Sequence, residues 1–314
     1  MVEDAVSKVA PDLRKFIELL PDLSDIGNRI HAVRAALSPI QPVPMGDDGE
    51  VITEETTITR ADGSSMKALI LRPSKPTADR LPCIMHVHGG GYVAGTHDYE
   101  HDDLRRDVCN LGCVVVSPDY RLAPEHPYPA PLDDVLTTWA WIHDEAGKLG
   151  VDPARSVIRG VSAGGGLVCG AILKLRESGA PLPALLVALY PMLDDRTGPH
   201  AHTGAYVWTH ENNLFGWDSY LANVDRAEPP VYAVPGREQD WSGLPPVFLA
   251  SGSIDLFIGE NLELARKLTD AGVPLEVHVY AGAYHGFPRV PCEAGRAYAE
   301  AATQAMRRAI APGD

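Results

Sequence analysis

Cysteine is scarce in this chain of 314 residues: there are five, at Cys83, Cys109, Cys113, Cys169 and Cys292. The count is odd and no C-x-x-C pair occurs, which sets aside a disulfide framework and the commonest cysteine metal sites. These residues are expected as reduced members of the core. Positive charge is also short, with 27 Lys and Arg against 42 Asp and Glu and a formal net charge of −15. A surface of that sign repels phosphate backbones and anionic headgroups, so nucleic acid and anionic membranes are excluded as partners. No apolar run approaches the roughly 18 residues of a membrane span. The acidic start, Met-Val-Glu-Asp, is not followed by the apolar stretch of a signal peptide. A cytoplasmic protein is expected. Internal repeats and low-complexity segments are absent as well.

What remains, 45% hydrophobic and 22% charged, suits a soluble protein with a substantial core. Leu13, Phe16, Ile17 and Leu20 fall at helical spacing, as do Ile26, Ile30 and Val33, with Pro11, Pro21 and Pro39 as breaks. A linker by composition follows at Gln41–Gly46. Val51–Arg60 and Met66–Arg72 then read as an antiparallel pair. From Pro82 onward the pattern alternates. Strands are expected at Pro82–His88, Gly112–Ser117, Ser156–Val161, Ala184–Tyr190, Pro246–Ser251 and Leu275–Tyr280. Helices are expected at Asp98–Leu111, Leu132–Leu149, Ala163–Glu177, Glu260–Ala271 and Cys292–Ile310. Apolar strands alternating with helices imply a mostly parallel sheet covered on both faces, here of eight strands. One segment interrupts the alternation, at about 194–235. Tyr206, Trp208, Phe215, Trp217 and Tyr220 make it dense in aromatics. A loop of that length is expected to be functional. It reads both as a surface helix with its own small core and as a lid.

The chain is organised around Gly160-Val161-Ser162-Ala163-Gly164, a G-x-S-x-G between an apolar strand and a helix. In that context the pentapeptide reads as a nucleophile elbow, a turn so sharp that the serine oxygen is pushed above the sheet. Taken alone, it reads equally as a glycine-rich turn with a capping serine. A serine hydroxyl needs a base, the base needs a carboxylate, and the oxyanion needs donors. His88-Gly89-Gly90-Gly91-Tyr92 ends the strand at 82–88, leaving the N–H groups of Gly89 and Gly90 free to join that of Ala163. A phosphate-binding loop is disfavoured there, because the P-loop lysine and the dinucleotide spacing are both missing. Asp255 follows the strand at 246–251 and His285 the strand at 275–280, in the chain order nucleophile, acid, histidine. His97 and His101, four apart in an acidic segment, have metal-ligand spacing but lack the H-E-x-x-H pattern. Trp139 and Trp141 are expected in the core.

These motifs together resemble one family, the hormone-sensitive-lipase-like branch of the α/β hydrolases, also called alpha/beta hydrolase fold-3. The carriers are H-G-G-G-Y at 88–92, D-Y-R-L-A-P-E at 119–125 and Y-P-A-P-L-D-D at 128–134. G-V-S-A-G-G-G-L at 160–167, Y-P-M-L-D-D-R at 190–196, G-L-P-P at 243–246 and H-G-F at 285–287 complete them. The resemblance implies Ser162 as nucleophile, His285 as base, Asp255 as its partner, and Gly89, Gly90 and Ala163 as oxyanion donors. It implies an α/β hydrolase fold at 45–314, capped by N-terminal helices at 1–44 and the insertion at about 194–235. Tyr92, Tyr190, Trp208 and Trp217 are the expected pocket residues. His88 is expected as an anchor, and Arg121 and Glu125 as buried partners holding the oxyanion loop. The implied activity is hydrolysis of short- to medium-chain carboxylic esters, with no cofactor and no metal. The expected partner is a small-molecule ester, and a homodimer is the one macromolecular assembly considered. A lactonase or amidase with the same triad, or a non-catalytic small-ligand receptor, are the other readings. Two departures stand out. Val161 occupies an elbow position that is often acidic or Thr, and Ile258-Gly259-Glu260 keeps only the glutamate of an Arg-Asp-Glu run.

Overall fold

Each of the long apolar runs becomes a strand, and the parallel ones lie at the centre of one sheet. The computed structural model describes residues 2–311; Met1 and residues 312–314, the outer ends of the expected cap and catalytic segments, lie outside the described residues. Among the described residues the strands are β1 (Gly46–Asp47), β2 (Val51–Thr59), β3 (Ser65–Pro73), β4 (Leu81–Val87) and β5 (Val114–Pro118). They continue with β6 (Val151–Val161), β7 (Leu185–Leu189), β8 (Val247–Gly252) and β9 (Leu275–Tyr280). They form one sheet in the order β1-β2-β3-β5-β4-β6-β7-β8-β9. The links β1 to β2, β2 to β3 and β3 to β5 are antiparallel and all others parallel. Every residue of β4, β5, β7 and β8 is buried, as expected of parallel strands covered on both faces.

The ninth strand corrects the expected eight. Gly46–Asp47, at the end of the expected linker, pairs with Ile52 and Thr53. Two residues carry no periodicity, so no sequence pattern marks them. The helices are α1 (Val2–Ser7), α2 (Pro11–Arg14), α3 (Ile26–Ala36), α4 (His101–Leu111) and α5 (Ala130–Asp144). α6 (Ala146–Leu149), α7 (Ala163–Ser178), α8 (His210–Tyr220), α9 (Ile258–Asp270) and α10 (Glu293–Ala309) follow. The helix expected at 132–149 is broken at Glu145, which leaves α6 as a separate turn. The stretch from Leu13 to Leu20 divides into α2 and a 3-10 turn at Ile17–Leu19. Buried side chains of α5, α7 and α9 share one core on one face of the sheet, and those of α4 and α10 share a second core on the other. No helix among the described residues is long and apolar enough to cross a membrane.

Two polar ties fix the part of the body that carries the site. Asp134 of α5, fully buried, accepts from the backbone N–H of Arg121 at 2.8 Å, from the Arg121 guanidinium, and from Arg60 Nε at 2.7 Å. A carboxylate buried between two guanidiniums is costly to unpair. Asp134→Ala is expected to lower the unfolding free energy by about 3 kcal/mol, measured by equilibrium urea unfolding. The second tie is Arg34 of α3, which grips Glu125 bidentately at 2.8 and 2.6 Å and donates to the carbonyls of Val93 and Ala123. Glu125 is therefore half exposed and binds the N-terminal helix, which corrects its expected place as a buried partner of the oxyanion loop. α3 also meets α8: the ring of Phe215 lies 3.3 Å from where a Cβ of Gly27 would stand. The two helices form the helical cap.

Candidate active site

The sheet brings the site together at one edge. Val87 pairs with Gly160, Val161 with Leu189, Leu189 with Ala250 and Gly252 with Tyr280, so the carboxyl ends of β4, β6, β7, β8 and β9 lie side by side. The segments leaving those ends carry His88–Gly91, Ser162, Tyr190, Asp255 and His285. Ligand sites of open α/β sheets form at this edge.

Ser162 sits at φ 56° and ψ −118°, between β6 and α7. That left-handed backbone is strained for a residue with a side chain. Its neighbours hold it there. Ser162 N–H donates to Leu189 O at 2.9 Å, and Ser162 O accepts from Gly166 N and Met192 N, both at 3.0 Å. The spacing of glycines follows from contact. A Cβ on Gly160 would come 2.4 Å from Gly164 O, and one on Gly164 would come 2.2 Å from Val87 O. Strand, helix and β4 pass too close for any other residue, and Ser162, at the N-terminus of α7, makes no side-chain capping bond, which counts against the reading of the pentapeptide as a glycine-rich turn with a capping serine.

Ser162 Oγ lies 2.9 Å from His285 Nε2, and His285 Nδ1 lies 2.8 Å from Asp255 Oδ2. A carboxylate only accepts, so Nδ1 carries the ring proton and Nε2 is left as acceptor for the serine hydroxyl. Asp255 is completely buried, and its other oxygen accepts from Phe257 N–H at 2.9 Å. The imidazole is walled by Tyr190, with ring centroids 4.4 Å apart, and by the edge-on ring of Phe257 at 5.4 Å. Sequence reasoning missed Phe257; the one signal is its place two residues after Asp255.

Beside Ser162 runs the glycine segment. Gly89 is so near that a Cβ there would stand 3.2 Å from Ser162 Cβ. The N–H groups of Gly89, Gly90 and Ala163 have no acceptor among the described residues. The first N–H of a helix such as α7 is an orphan by geometry and favours negative charge. His88 is an anchor: its Nδ1 bonds Gly89 O at 2.8 Å, its ring stacks on Tyr120 at 4.2 Å, and the Tyr120 hydroxyl donates to His88 O. Burial pushes its pKa down to about 4, so it is neutral where esters are turned over.

The other expected residues divide. Tyr190 backs His285, and Trp208 lies over Gly91, its indole 2.0 Å from where a Cβ would stand. Tyr92 and Trp217 have almost no exposed surface; they pack with Tyr220 at the junction of body and cap, and the Tyr92 hydroxyl donates to Met192 O at 3.0 Å. Tyr190 and Trp208 are buried to the same degree. Glu260 is buried elsewhere, accepting from Leu193 N–H at 2.7 Å and from the Thr197 hydroxyl, and burial holds its pKa well above the ordinary carboxylate range. It ties down the start of the insertion. His97 and His101 part company, the first facing Asp119 and Glu55, the second Thr53.

Comparison with known proteins agrees with this geometry. The chain is 29% identical over 287 residues to "Esterase LipI" of Mycobacterium tuberculosis, covering 90% of this chain and 89% of that protein. It is 29% identical over 253 residues to "Ethyl acetate hydrolase" of Pseudomonas putida, covering 78% of each. Among solved structures, "Bacterial Heroin Esterase" superposes with a TM-score of 0.88 at 30% identity, covering 98% of this chain and 99% of that one. A family profile described as alpha/beta hydrolase fold matches residues 84–289. The chain belongs to that family, alpha/beta hydrolase fold-3, and is related to bacterial esterases.

Proposed function

We propose that the chain is a serine carboxylesterase acting on small esters through an acyl-enzyme at Ser162. The observation that carries this is the unbroken line Ser162 Oγ, His285, Asp255, with contacts of 2.9 and 2.8 Å, beside three unpaired N–H groups. His285 Nε2 takes the hydroxyl proton as Ser162 Oγ attacks the ester carbonyl. The oxyanion is stabilised by the N–H groups of Gly89, Gly90 and Ala163. Collapse breaks the bond to the alkoxy oxygen, which leaves with the proton from His285. Water then gives its proton to His285 and attacks the acyl carbon, and the carboxylic acid departs as Ser162 recovers the proton. None of these steps calls for a cofactor. All five cysteines are free thiols, which supports a reducing, cytoplasmic location.

The cap sets substrate size in this reading. α3 and α8 are clamped over the edge of the sheet through Arg34 and Phe215, and Trp208 closes against the glycine segment. A roofed pocket takes a small ester and excludes an emulsion surface. Each added methylene gains about 0.8 kcal/mol until the pocket is full, after which strain cancels the gain. The expected outcome is a maximum of kcat/KM between about two and eight acyl carbons. The measurement is the nitrophenyl acetate, butyrate, octanoate and palmitate series. A maximum at palmitate, with activation at an oil–water interface, overturns the small-ester assignment.

A further inference from the structure

A cavity of about 360 Å³ lies away from Ser162, on the other face of the sheet, between α4 and α10. Arg159 and Val161 of β6, His86 of β4 and Tyr190 line its inner end, and Thr303 and Tyr298 of α10 line its side. The size falls in the range of small-molecule sites, about 300–1,000 Å³, and far exceeds the space of one water.

Its charges are balanced pair by pair. Arg159 Nη1 meets Asp107 at 2.5 Å, and Arg106 meets Asp103 at 2.6 Å. Glu100 lies 2.5 Å from His86 Nε2 and 3.3 Å from Arg289, whose guanidinium stacks on Tyr99. Burial and the adjacent Arg159, which donates Nε–H to His86 Nδ1 at 3.0 Å, lower the His86 pKa, against the pull of Glu100. Glu300 and Arg307 add one charge of each sign to the lining, and Arg307 donates to Asn110 O at 3.0 Å. An anion entering meets the carboxylates without a spare cation, and a cation meets the guanidiniums without a spare carboxylate.

Hydrogen-bonding capacity, by contrast, is left over. The hydroxyls of Tyr190 and Tyr298 and the Nη2 of Arg159 have no protein partner among the described residues, and all three residues line the cavity. Tyr190 and Arg159 are more than nine-tenths buried. None of the three atoms is sealed from solvent, so an occupant that bonds them takes the place of water there.

We propose that this cavity is a second small-molecule site, separate from the ester pocket, for an uncharged polyhydroxylated ligand of polyol or sugar type. Hydroxyls both donate and accept, and so match a wall that mixes guanidinium, carboxylate and phenol without net charge. The site adjoins the catalytic centre from behind, because the Tyr190 ring that reaches it also packs on His285.

The test is saturation-transfer NMR titration of the full chain with sorbitol, and with gluconate and glucosamine as charged analogues of similar size. Sorbitol is expected to saturate with a Kd on the order of 1 mM, and the two charged analogues to bind about tenfold more weakly or not at all. Ser162→Ala is expected to leave sorbitol binding unchanged, which separates this site from the ester pocket. Thr303→Phe, which intrudes on the cavity, is expected to weaken binding at least about tenfold. Tyr298→Phe removes one unpartnered hydroxyl with little change of shape and is expected to weaken binding about two- to tenfold, so it decides the matter if Thr303→Phe fails to fold. No saturable signal, unchanged affinity in the cavity variants, or tighter binding of either charged analogue overturns the proposal.

Discussion

Ser162→Ala is expected to lower kcat/KM for a nitrophenyl ester by about 10⁴- to 10⁶-fold with the fold intact. The size of the loss follows from what the variant lacks and what it keeps. It lacks the oxygen that forms the acyl bond, so the two-step route closes. It keeps the N–H groups of Gly89, Gly90 and Ala163, which still polarise a bound carbonyl and leave a residual rate above that in water. The fold is expected to survive because alanine and serine are strained alike at φ 56°, and because among the described residues Ser162 Oγ bonds only His285. Circular dichroism checks the fold, and a burst titration counts the sites. A loss smaller than about tenfold would mean that another group carries the acyl chain.

The second large effect is expected at Asp255. Asp255→Asn preserves shape, and its carboxamide oxygen can still accept from Phe257 N–H, as Asp255 Oδ1 does at 2.9 Å. The amide then turns its NH₂ toward His285 Nδ1. Two donors cannot share that contact, so the ring adopts the tautomer with its proton on Nε2, and the acceptor facing Ser162 Oγ is lost. The expected cost is about 10³- to 10⁴-fold in kcat. Glu260→Gln is the control. Its carboxyl bonds Leu193 N–H and Thr197, away from His285, so kcat is expected to hold while the insertion loosens and KM rises. Silencing by Glu260→Gln with Asp255→Asn active would move the orienting role to the wrong carboxylate for this geometry.

Much of this was legible in the chain because the parallel strands report themselves. β4, β5, β7 and β8 are buried on both faces and therefore read as unbroken apolar runs. The order of Ser162, Asp255 and His285, which follow β6, β8 and β9, points in turn to the candidate site. The glycines around Ser162 were also readable, since a strand, a helix and β4 converge on Gly160 and Gly164. Other features have no local signature. Gly46–Asp47 is too short to show a period. Glu125 looks like a member of the oxyanion-loop motif, yet its partner is Arg34, 91 residues away. Tyr92 and Trp217 stand in the right segments, but only packing against Tyr220 reveals that they face inward. The cavity between α4 and α10 draws on β4, β6, α4 and α10, and no single stretch announces it.

The most direct test of the account is covalent labelling. The intact chain is treated with a fluorophosphonate, digested, and the adduct located by peptide mass. The expected result is one phosphonylated residue, Ser162, formed in step with complete loss of esterase activity, and no adduct in Ser162→Ala. Loss of activity with the adduct on any other residue, or full activity with Ser162 quantitatively labelled, would contradict an acyl-enzyme at Ser162.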